Sequence, residues 1–422
     1  MTKINRDFFQ FKLILFICLF SYSFVLFDQS PFEFYIHYFI YLVVIPIYII
    51  KYGIPKFFFK LFLIPIFIGI VHVIIGDNQL FTFIKIFGGL FATLLFFYFL
   101  IKKLDFSTSL IFGWYIKFCY ILCVIGLIQV ISFLIGFEIG YNFNWILNKW
   151  GVIRGGVVGI RVNSILSEPT YLATVISPAM YVSIKNLISN TNLYINKSQS
   201  ILILLIAILT TSSIGYFGLG LSLLLSTNTI RLRYLAFGSL IVFLGFSLAY
   251  QNVKDFSDRA DAAKGLWIDQ DFKIKNTNSS SFVLFNNLHI AKKNLNKFPL
   301  FGTGLGSHET AFKKFTLTKS LIQYDFEFNI KDGNSLFVRL CTETGLIGLI
   351  FIILIIINGF IYKVDSNNPE MVEHKLISQS IFVLLVLVLI RQGNYMLNGL
   401  PLMFLLYYFN GVQYKEKLIS SE

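Results

Sequence analysis

Charged residues are scarce in this chain: Asp, Glu, Lys and Arg together make up 14% of its 422 residues. A soluble domain of ordinary composition carries about 25% charged residues. Hydrophobic residues make up 56% of the chain, and 48 of them are phenylalanines. This composition excludes an ordinary soluble domain and indicates an integral membrane protein.

Cysteine is also rare, with only Cys18, Cys119, Cys123 and Cys341, all in apolar segments. Cys119 and Cys123 share a helix face by their spacing, but no histidine or further cysteine completes a set of metal ligands. Free cysteine commonly behaves as a small buried hydrophobe, and we expect that behaviour here. The sequence predicts neither a metal site nor a cofactor.

The net charge of +13 is distributed in a way that argues against nucleic-acid binding. Basic residues fall in every second connection between apolar segments, whereas the connections 28–31 and 76–79 contain no Lys or Arg. This alternation follows the positive-inside rule. It predicts that both termini are cytoplasmic and that the protein's surroundings are membrane lipid.

Segments of about 20 apolar residues are needed to cross a bilayer core of roughly 30 Å. Residues 199–227 are too long for one span and would break the charge alternation, so two short segments meeting at Thr210–Ser213 are expected. The predicted fold is all-α and polytopic, with nine spans in 1–250 and three in 335–422. The predicted spans are 8–27, 32–50, 57–75, 80–101, 110–135, 170–188, 199–211, 213–227, 232–250, 335–361, 376–391 and 395–411.

One large polar loop, residues 251–334, interrupts the apolar segments and is predicted to lie on the outer side. It contains twelve basic and nine acidic residues, so it is nearly balanced in charge. Residues 282–296 have the pattern of an amphipathic helix that ends at Lys297, and Gly302–Gly306 form an irregular turn after it. Large loops on one face are typical of membrane enzymes that act on lipid-linked substrates.

Arginine is used sparingly, with 8 Arg against 27 Lys, so its positions are informative. The guanidinium group matches phosphate oxygens with two parallel hydrogen bonds, which an ammonium group cannot do. Pairing within the protein is the alternative, since Arg339 lies four residues before Glu343 on one helix face. We nevertheless predict binding of an anionic substrate by the five arginines that map to the outer side: Arg154, Arg161, Arg259, Arg339 and Arg391.

Three side chains are candidates for proton transfer on the same side: Glu168, His308 and Glu343. Ionisable residues at membrane depth are functional candidates, and a histidine can accept a proton near neutral pH. Glu168 precedes Pro169, so it can also begin a helix without taking part in chemistry. No Asp-x-Asp pair lies on the cytoplasmic side, which argues against a transferase that uses nucleotide sugars there.

Five segments, in order, resemble motifs of bacterial O-antigen and capsular polysaccharide repeat-unit polymerases (Wzy type). The match departs from the family at two places, since Ser213 or Ile214 stands where Arg is common, and Gly333 stands where the family has histidine. The segments are Arg161–Ala173 with its Ser-Glu-Pro, Thr210–Gly215, Phe256–Arg259, Phe298–Gly306 with its Pro-x-x-Gly-x-Gly, and Asn334–Gly348 with its Glu-x-Gly.

The resemblance implies a GT-C-like membrane glycosyltransferase at the periplasmic face of the bacterial inner membrane. It implies inverting, metal-independent transfer of a glycan from undecaprenyl pyrophosphate onto a carrier-linked repeat unit. A flippase and a chain-length regulator would be its partners. An O-antigen ligase of the same superfamily remains an alternative, disfavoured by the missing histidine. A flippase or exporter of lipid-linked glycans is another, disfavoured by the asymmetric outer loop.

The charge alternation predicts that the large loop is periplasmic. A cysteine introduced as Ser280→Cys should react with a membrane-impermeant thiol reagent once the outer membrane is made leaky. Labelling that requires lysis of the inner membrane would show the opposite orientation and remove the basis for the outer site.

Overall fold

The computed structural model describes residues 3–27, 33–226, 254–269, 279–319, 328–364 and 368–421, with positions 247, 250 and 251. This part of the chain is mostly helical and contains four or five helices that are long and apolar enough to cross a membrane. Two short strand pairs accompany the helices, a feature that the all-α prediction lacked.

Helices make up most of the elements in both halves of the chain. In the first half the elements are α1 (Lys3–Phe20), β1 (Val25–Phe27), β2 (Phe34–Tyr35), α2 (Ile36–Tyr52), α3 (Lys56–Ile75), α4 (Leu80–Lys103), α5 (Thr108–Leu134), α6 (Glu138–Tyr141), β3 (Ile153–Arg154), β4 (Ile160–Arg161), α7 (Pro169–Val175), α8 (Ser177–Ser189), α9 (Lys197–Leu209) and α10 (Ser213–Ser226). In the second half they are α11 (Lys254–Trp267), α12 (Ser279–Lys297), α13 (His308–Phe315), α14 (Leu336–Glu343), α15 (Gly345–Gly359), α16 (Pro369–Arg391) and α17 (Leu400–Ser421). Strands β1 and β2 pair antiparallel, as do β3 and β4.

The helices differ in how much of their surface the protein covers. In the most apolar 18-residue stretch of α16, 67% of the residues are buried inside the protein, against 22% in the corresponding stretch of α3. Helix α16 packs against α8, α10 and α17, whereas α3 packs mainly against α4. Helix α16 is therefore central and α3 is peripheral, with an apolar face suited to lipid.

Most predicted spans correspond to apolar helices, with differences at their ends. Among the described residues, α3, α4, α5 and α16 are the helices that are both long and apolar enough to span singly. The expected division of 199–227 into two segments appears as α9 and α10. Helix α1 ends at Phe20, earlier than predicted, because the chain turns there into β1. Helix α16 begins earlier than predicted, since the Asn368 side chain accepts hydrogen bonds from two N–H groups of its first turn. The predicted span 232–250 falls almost entirely outside the described residues.

Two spans predicted as continuous helices are broken. Helices α7 and α8 meet at Ile176 with a bend of 53°. Helices α14 and α15 are separated at Thr344, and Gly345 has a φ of +62°. Hydropathy did not reveal these breaks because apolar residues dominate each predicted span, 170–188 and 335–361, when it is taken as a whole.

The large loop returns to the membrane helices through residues 298–306, which we call the glycine turn. Helix α12 ends at Lys297, as predicted, and the glycine turn then lies against the break between α14 and α15. Non-helical backbone among apolar helices is stable only where other groups of the protein satisfy its hydrogen bonds. Four backbone hydrogen bonds do so here: Thr303 N–H to Thr342 O (3.2 Å), Gly304 N–H to Glu343 O (2.8 Å), Leu346 N–H to Pro299 O (2.9 Å) and Ile347 N–H to Leu300 O (3.0 Å).

Glycine is required where the turn crosses the break. Gly302 has a φ of +64°, and a Cβ placed on it would lie 2.6 Å from the carbonyl oxygen of Thr342 and 2.7 Å from the nitrogen of Gly345. Thr342 O accepts one of the hydrogen bonds described above, and Gly345 directly precedes Leu346, whose N–H donates another, so neither backbone atom can move freely. The loop and the broken span are therefore fixed together at this crossing.

Gly302→Ala is expected to destabilise the protein by about 2 kcal/mol or more, through left-handed strain and backbone overlap. Gly88→Ala is the matched control, because Gly88 lies inside α4 with no other atom within 4 Å of the position that the added methyl group would take. Thermal denaturation in detergent should show a clearly lower midpoint for the first variant only. Equal midpoints would contradict the tight crossing.

Candidate functional site

A polar cavity of about 210 Å³ lies where the start of α7, the residues before α14 and the end of α16 come together. It joins three segments that are distant in the sequence. Its lining residues are Glu168, Thr170, Tyr171, Asn329, Asp332, Asn334, Arg391, Gln392 and Gly393.

Glu168 occupies the position that begins α7, with Pro169 at the first helical position as the sequence predicted. Its backbone carbonyl accepts hydrogen bonds from the N–H groups of Tyr171 and Leu172. Its side chain makes no capping hydrogen bond to the helix. The carboxylate is therefore not needed to cap α7, and it faces the cavity instead.

The charge of Glu168 depends on its surroundings. The Glu168 side chain is exposed to the cavity. The protein packed around its carboxyl group nevertheless weakens the solvation of the charged form, and this raises the pKa. The positive charge of Arg391 acts in the opposite direction, the negative charge of Asp332 adds to the increase, and Arg161 opposes it more weakly than Arg391. The net result is a carboxyl group with a raised pKa, which is the type of group used for proton transfer near neutral pH.

The residues before α14 form a tight turn at 328–334. Asn329, Gly333 and Asn334 all have positive φ angles, which asparagine and glycine adopt most readily. The Asn334 N–H donates to Asp332 Oδ1 at 3.0 Å. The carbonyl of Asp332 lies so close to Gly393 that no Cβ could be added there, so the turn and the end of α16 are in direct contact.

Arg339 and Glu343 form a buried ion pair beside the cavity. Arg339 Nε donates to Glu343 Oε1 at 2.8 Å, and Arg339 Nη1 donates to the carbonyl of Gly393 at 2.9 Å. The Tyr395 hydroxyl donates to Glu343 Oε2 at 2.9 Å, while the Arg339 guanidinium lies over the Tyr395 ring. Both charged side chains are almost fully buried. Arg339 and Glu343 therefore pair with each other inside the protein, which was the alternative to substrate binding. The Gly393 backbone connects this pair to the cavity.

The remaining predicted arginines are arranged differently. Arg161, in β4, donates from Nε to the carbonyl of Thr210 at 3.3 Å, at the junction of α9 and α10. Arg154, in β3, is exposed and does not line the cavity. Arg259 belongs to α11, and its side chain lies outside what the structure describes. Of the five, only Arg391 lines the cavity.

His308 is buried at the start of α13 and does not line the cavity. Its Nε2 lies 3.1 Å from Asn287 Oδ1, and its Nδ1 lies 3.1 Å from Thr342 Oγ1. Burial, with the nearby positive charge of Arg339, lowers the pKa of His308 to about 3. Both ring nitrogens are thus occupied in a neutral imidazole, and we leave His308 out of the proposed chemistry.

The His308 ring also explains the glycine at position 333. A Cβ on Gly333 would lie 2.9 Å from His308 Nε2. The imidazole therefore fills the space into which a side chain at position 333 would extend.

Several lining residues were missed from the sequence: Thr170, Tyr171, Asn329, Asp332 and Gln392. The signal for Gln392 was its position directly after Arg391, at the end of an apolar segment. Asn329 and Asp332 gave only the usual composition of a turn.

Comparison with protein-family models finds no model that matches the chain, and comparison with curated protein sequences finds no match either.

Removing one partner of the buried ion pair should be costly. Glu343→Gln is expected to destabilise the protein by about 3–5 kcal/mol, because Arg339 would remain buried without a compensating charge. Glu309→Gln is the matched control, since Glu309 and Lys313 form an i, i+4 pair at the surface, where loss costs about 0.5 kcal/mol or less. Thermal denaturation in detergent compares the two, and similar midpoints would refute a stabilising role for the buried pair.

Proposed function

We propose that this protein is a surface-polysaccharide polymerase. It joins oligosaccharide repeat units carried on undecaprenyl pyrophosphate, at the periplasmic face of the bacterial inner membrane. In this proposal the chain spans the membrane about 12 times in a GT-C-like arrangement, with both termini in the cytoplasm. The products belong to the O-antigen or capsule class.

One observation carries the proposal: segments that resemble separate polymerase motifs line the same cavity. Glu168 comes from the Ser-Glu-Pro segment and Asn334 begins the segment that leads to the Glu-x-Gly. The glycine turn, a third such segment, fixes the break between α14 and α15 beside them. Motifs matched only by order in the sequence have no reason to meet unless they serve a common site.

The chemistry follows from the groups available. The oxygen of an acceptor hydroxyl attacks the anomeric carbon of the donor sugar, and the bond from that carbon to the pyrophosphate oxygen breaks. Glu168 takes the proton of the hydroxyl as general base. The electron pair leaves with undecaprenyl pyrophosphate, whose growing charge is stabilised best by donors already in position. Arg161 is near enough to influence the charge of Glu168 and is our choice for that role.

Arg339 and Glu343 support the site without entering the reaction. The Tyr395 hydroxyl donates a hydrogen bond to Glu343, and Arg339 donates one to the carbonyl of Gly393, which lines the cavity. Supporting groups of this kind keep catalytic side chains within the narrow geometry that transfer requires.

Purified protein in nanodiscs, given a lipid-linked repeat unit, tests the proposal. We expect a ladder of products without added nucleotide sugar. Transfer that occurs only when lipid A-core is supplied would indicate a ligase. Movement of the substrate between leaflets without any new glycosidic bond would indicate an exporter and refute the polymerase.

Glu168→Gln should reduce the rate of polymer formation about 100-fold or more, since the general base is lost. In the unmodified protein the rate should fall as pH decreases through the raised pKa of Glu168, because a protonated carboxyl cannot accept a proton. Arg391→Gln should move this decline to higher pH, since Arg391 lowers that pKa. Arg391→Lys keeps the charge and should leave the decline in place.

Initial rates across the acidic and neutral range measure these effects. Lys292→Gln, at an exposed position of α12, is the control for general loss of positive charge. A Glu168→Gln variant with a normal rate, or an unchanged pH profile in Arg391→Gln, would exclude Glu168 as the base.

A further inference from the structure

The charges around the cavity do not favour pyrophosphate. Its lining contains two carboxylates, Glu168 and Asp332, against one guanidinium, Arg391. An anion with several negative charges would meet repulsion from both carboxylates. Guanidinium and ammonium groups are the strongest donors to phosphate oxygens, and this cavity has one such group beside two carboxylates.

The size of the cavity sets a second limit. Its volume of about 210 Å³ is below the roughly 300–1,000 Å³ of pockets for drug-sized ligands. A cavity of this size fits one sugar ring better than a sugar together with a diphosphate and the start of a polyprenyl chain.

The polar groups that line the cavity match a sugar. Asn329, Asn334 and Gln392 contribute carboxamides, each with a donor and an acceptor end. Gln392 is 5% exposed, and its Oε1 has no hydrogen-bond partner among the residues that the structure describes. A buried acceptor without a partner is costly, and a sugar hydroxyl that turned the carboxamide toward itself would satisfy it.

We infer that the polar cavity is the acceptor-sugar subsite, which receives one neutral, hydroxyl-rich sugar ring through Asp332 and Gln392, while the donor pyrophosphate binds outside it. The role of this sugar as the acceptor rests on the proposed polymerase activity, whereas the binding of a sugar ring does not. Glu168 then lies in the wall of the subsite, next to the hydroxyl whose proton it removes. Arg391 offsets the charge of the two carboxylates and is not a ligand of the donor pyrophosphate.

A cysteine reporter tests which ligand enters the cavity. Thr170 lines it, and all four native cysteines are buried and do not line it, so Thr170→Cys provides one reactive thiol there. The rate of alkylation by N-ethylmaleimide is measured in detergent with methyl glucoside, methyl galactoside, methyl mannoside or inorganic pyrophosphate. Sorbitol, an acyclic polyol, controls for solution effects.

At least one glycoside should slow alkylation, by a factor of one plus the ratio of its concentration to its dissociation constant. Pyrophosphate and sorbitol should not slow it. In the reporter protein, Gln392→Ala should weaken this protection about 2- to 12-fold, and Asp332→Asn about 10-fold or more. Asn296→Ala, at an exposed position of α12, is the matched amide control and should leave it unchanged. Saturation-transfer NMR with the same glycosides and the unmodified protein repeats the comparison without the reporter.

The outcomes separate this inference from the proposed function. Protection by pyrophosphate alone, or by none of the glycosides in both measurements, overturns the sugar subsite even if the protein forms polymer. Protection by a glycoside in a protein that forms no polymer refutes the polymerase and leaves a sugar-binding cavity. In active protein, Gln392→Ala should raise the KM for the acceptor repeat unit with little change in kcat, and a loss in kcat alone would overturn a binding role.

Discussion

Backbone groups left open at a break between two apolar helices must find partners inside the protein where water is excluded. At the break between α14 and α15, the glycine turn supplies those partners through its own backbone. The side chain of Asn294 adds a further hydrogen bond to Thr342 O at 2.9 Å. The rest of the site depends on this contact, since it sets where α14 ends and therefore where Arg339 and Glu343 lie.

Carboxylates and arginines occur in two adjoining sets with different properties. The inner set, Arg339 and Glu343 with Tyr395, is buried, and each carboxylate oxygen of Glu343 has a donor. The outer set, Arg391 with Glu168 and Asp332, opens into the cavity. The Gly393 backbone lies between them. Carboxylates and arginines thus form a buried structural ion pair on one side of Gly393 and a surface available to ligand on the other.

The sequence predicted the features that depend on local signals. Hydropathy located α3, α4 and α5, the length and charge argument divided 199–227 into two helices, and the approach of Pro299 predicted the end of α12 at Lys297. The breaks at Ile176 and Thr344 were not predicted, because the groups that bond beside them come from distant parts of the chain: Tyr115 donates to Val175 O, and the glycine turn bonds to Thr342 and Glu343.

The candidate site shows the same division. Glu168 and Arg391 were found individually, because ionisable residues stand out in apolar surroundings. Their proximity is a property of packing between α7 and α16 and has no local signal. Asp332 was missed because its neighbours, Lys331 and Gly333, give it the composition of an ordinary exposed turn.

The position of His308 has a consequence for how this chain can vary. Its ring fills the space next to Gly333 and is held by Asn287 and Thr342. A histidine at position 333 and one at 308 therefore exclude each other sterically. An imidazole could move from one position to the other only by a coupled exchange, in which 308 becomes small as 333 becomes large. Two chains related by such an exchange would differ at both positions while keeping a ring in nearly the same volume.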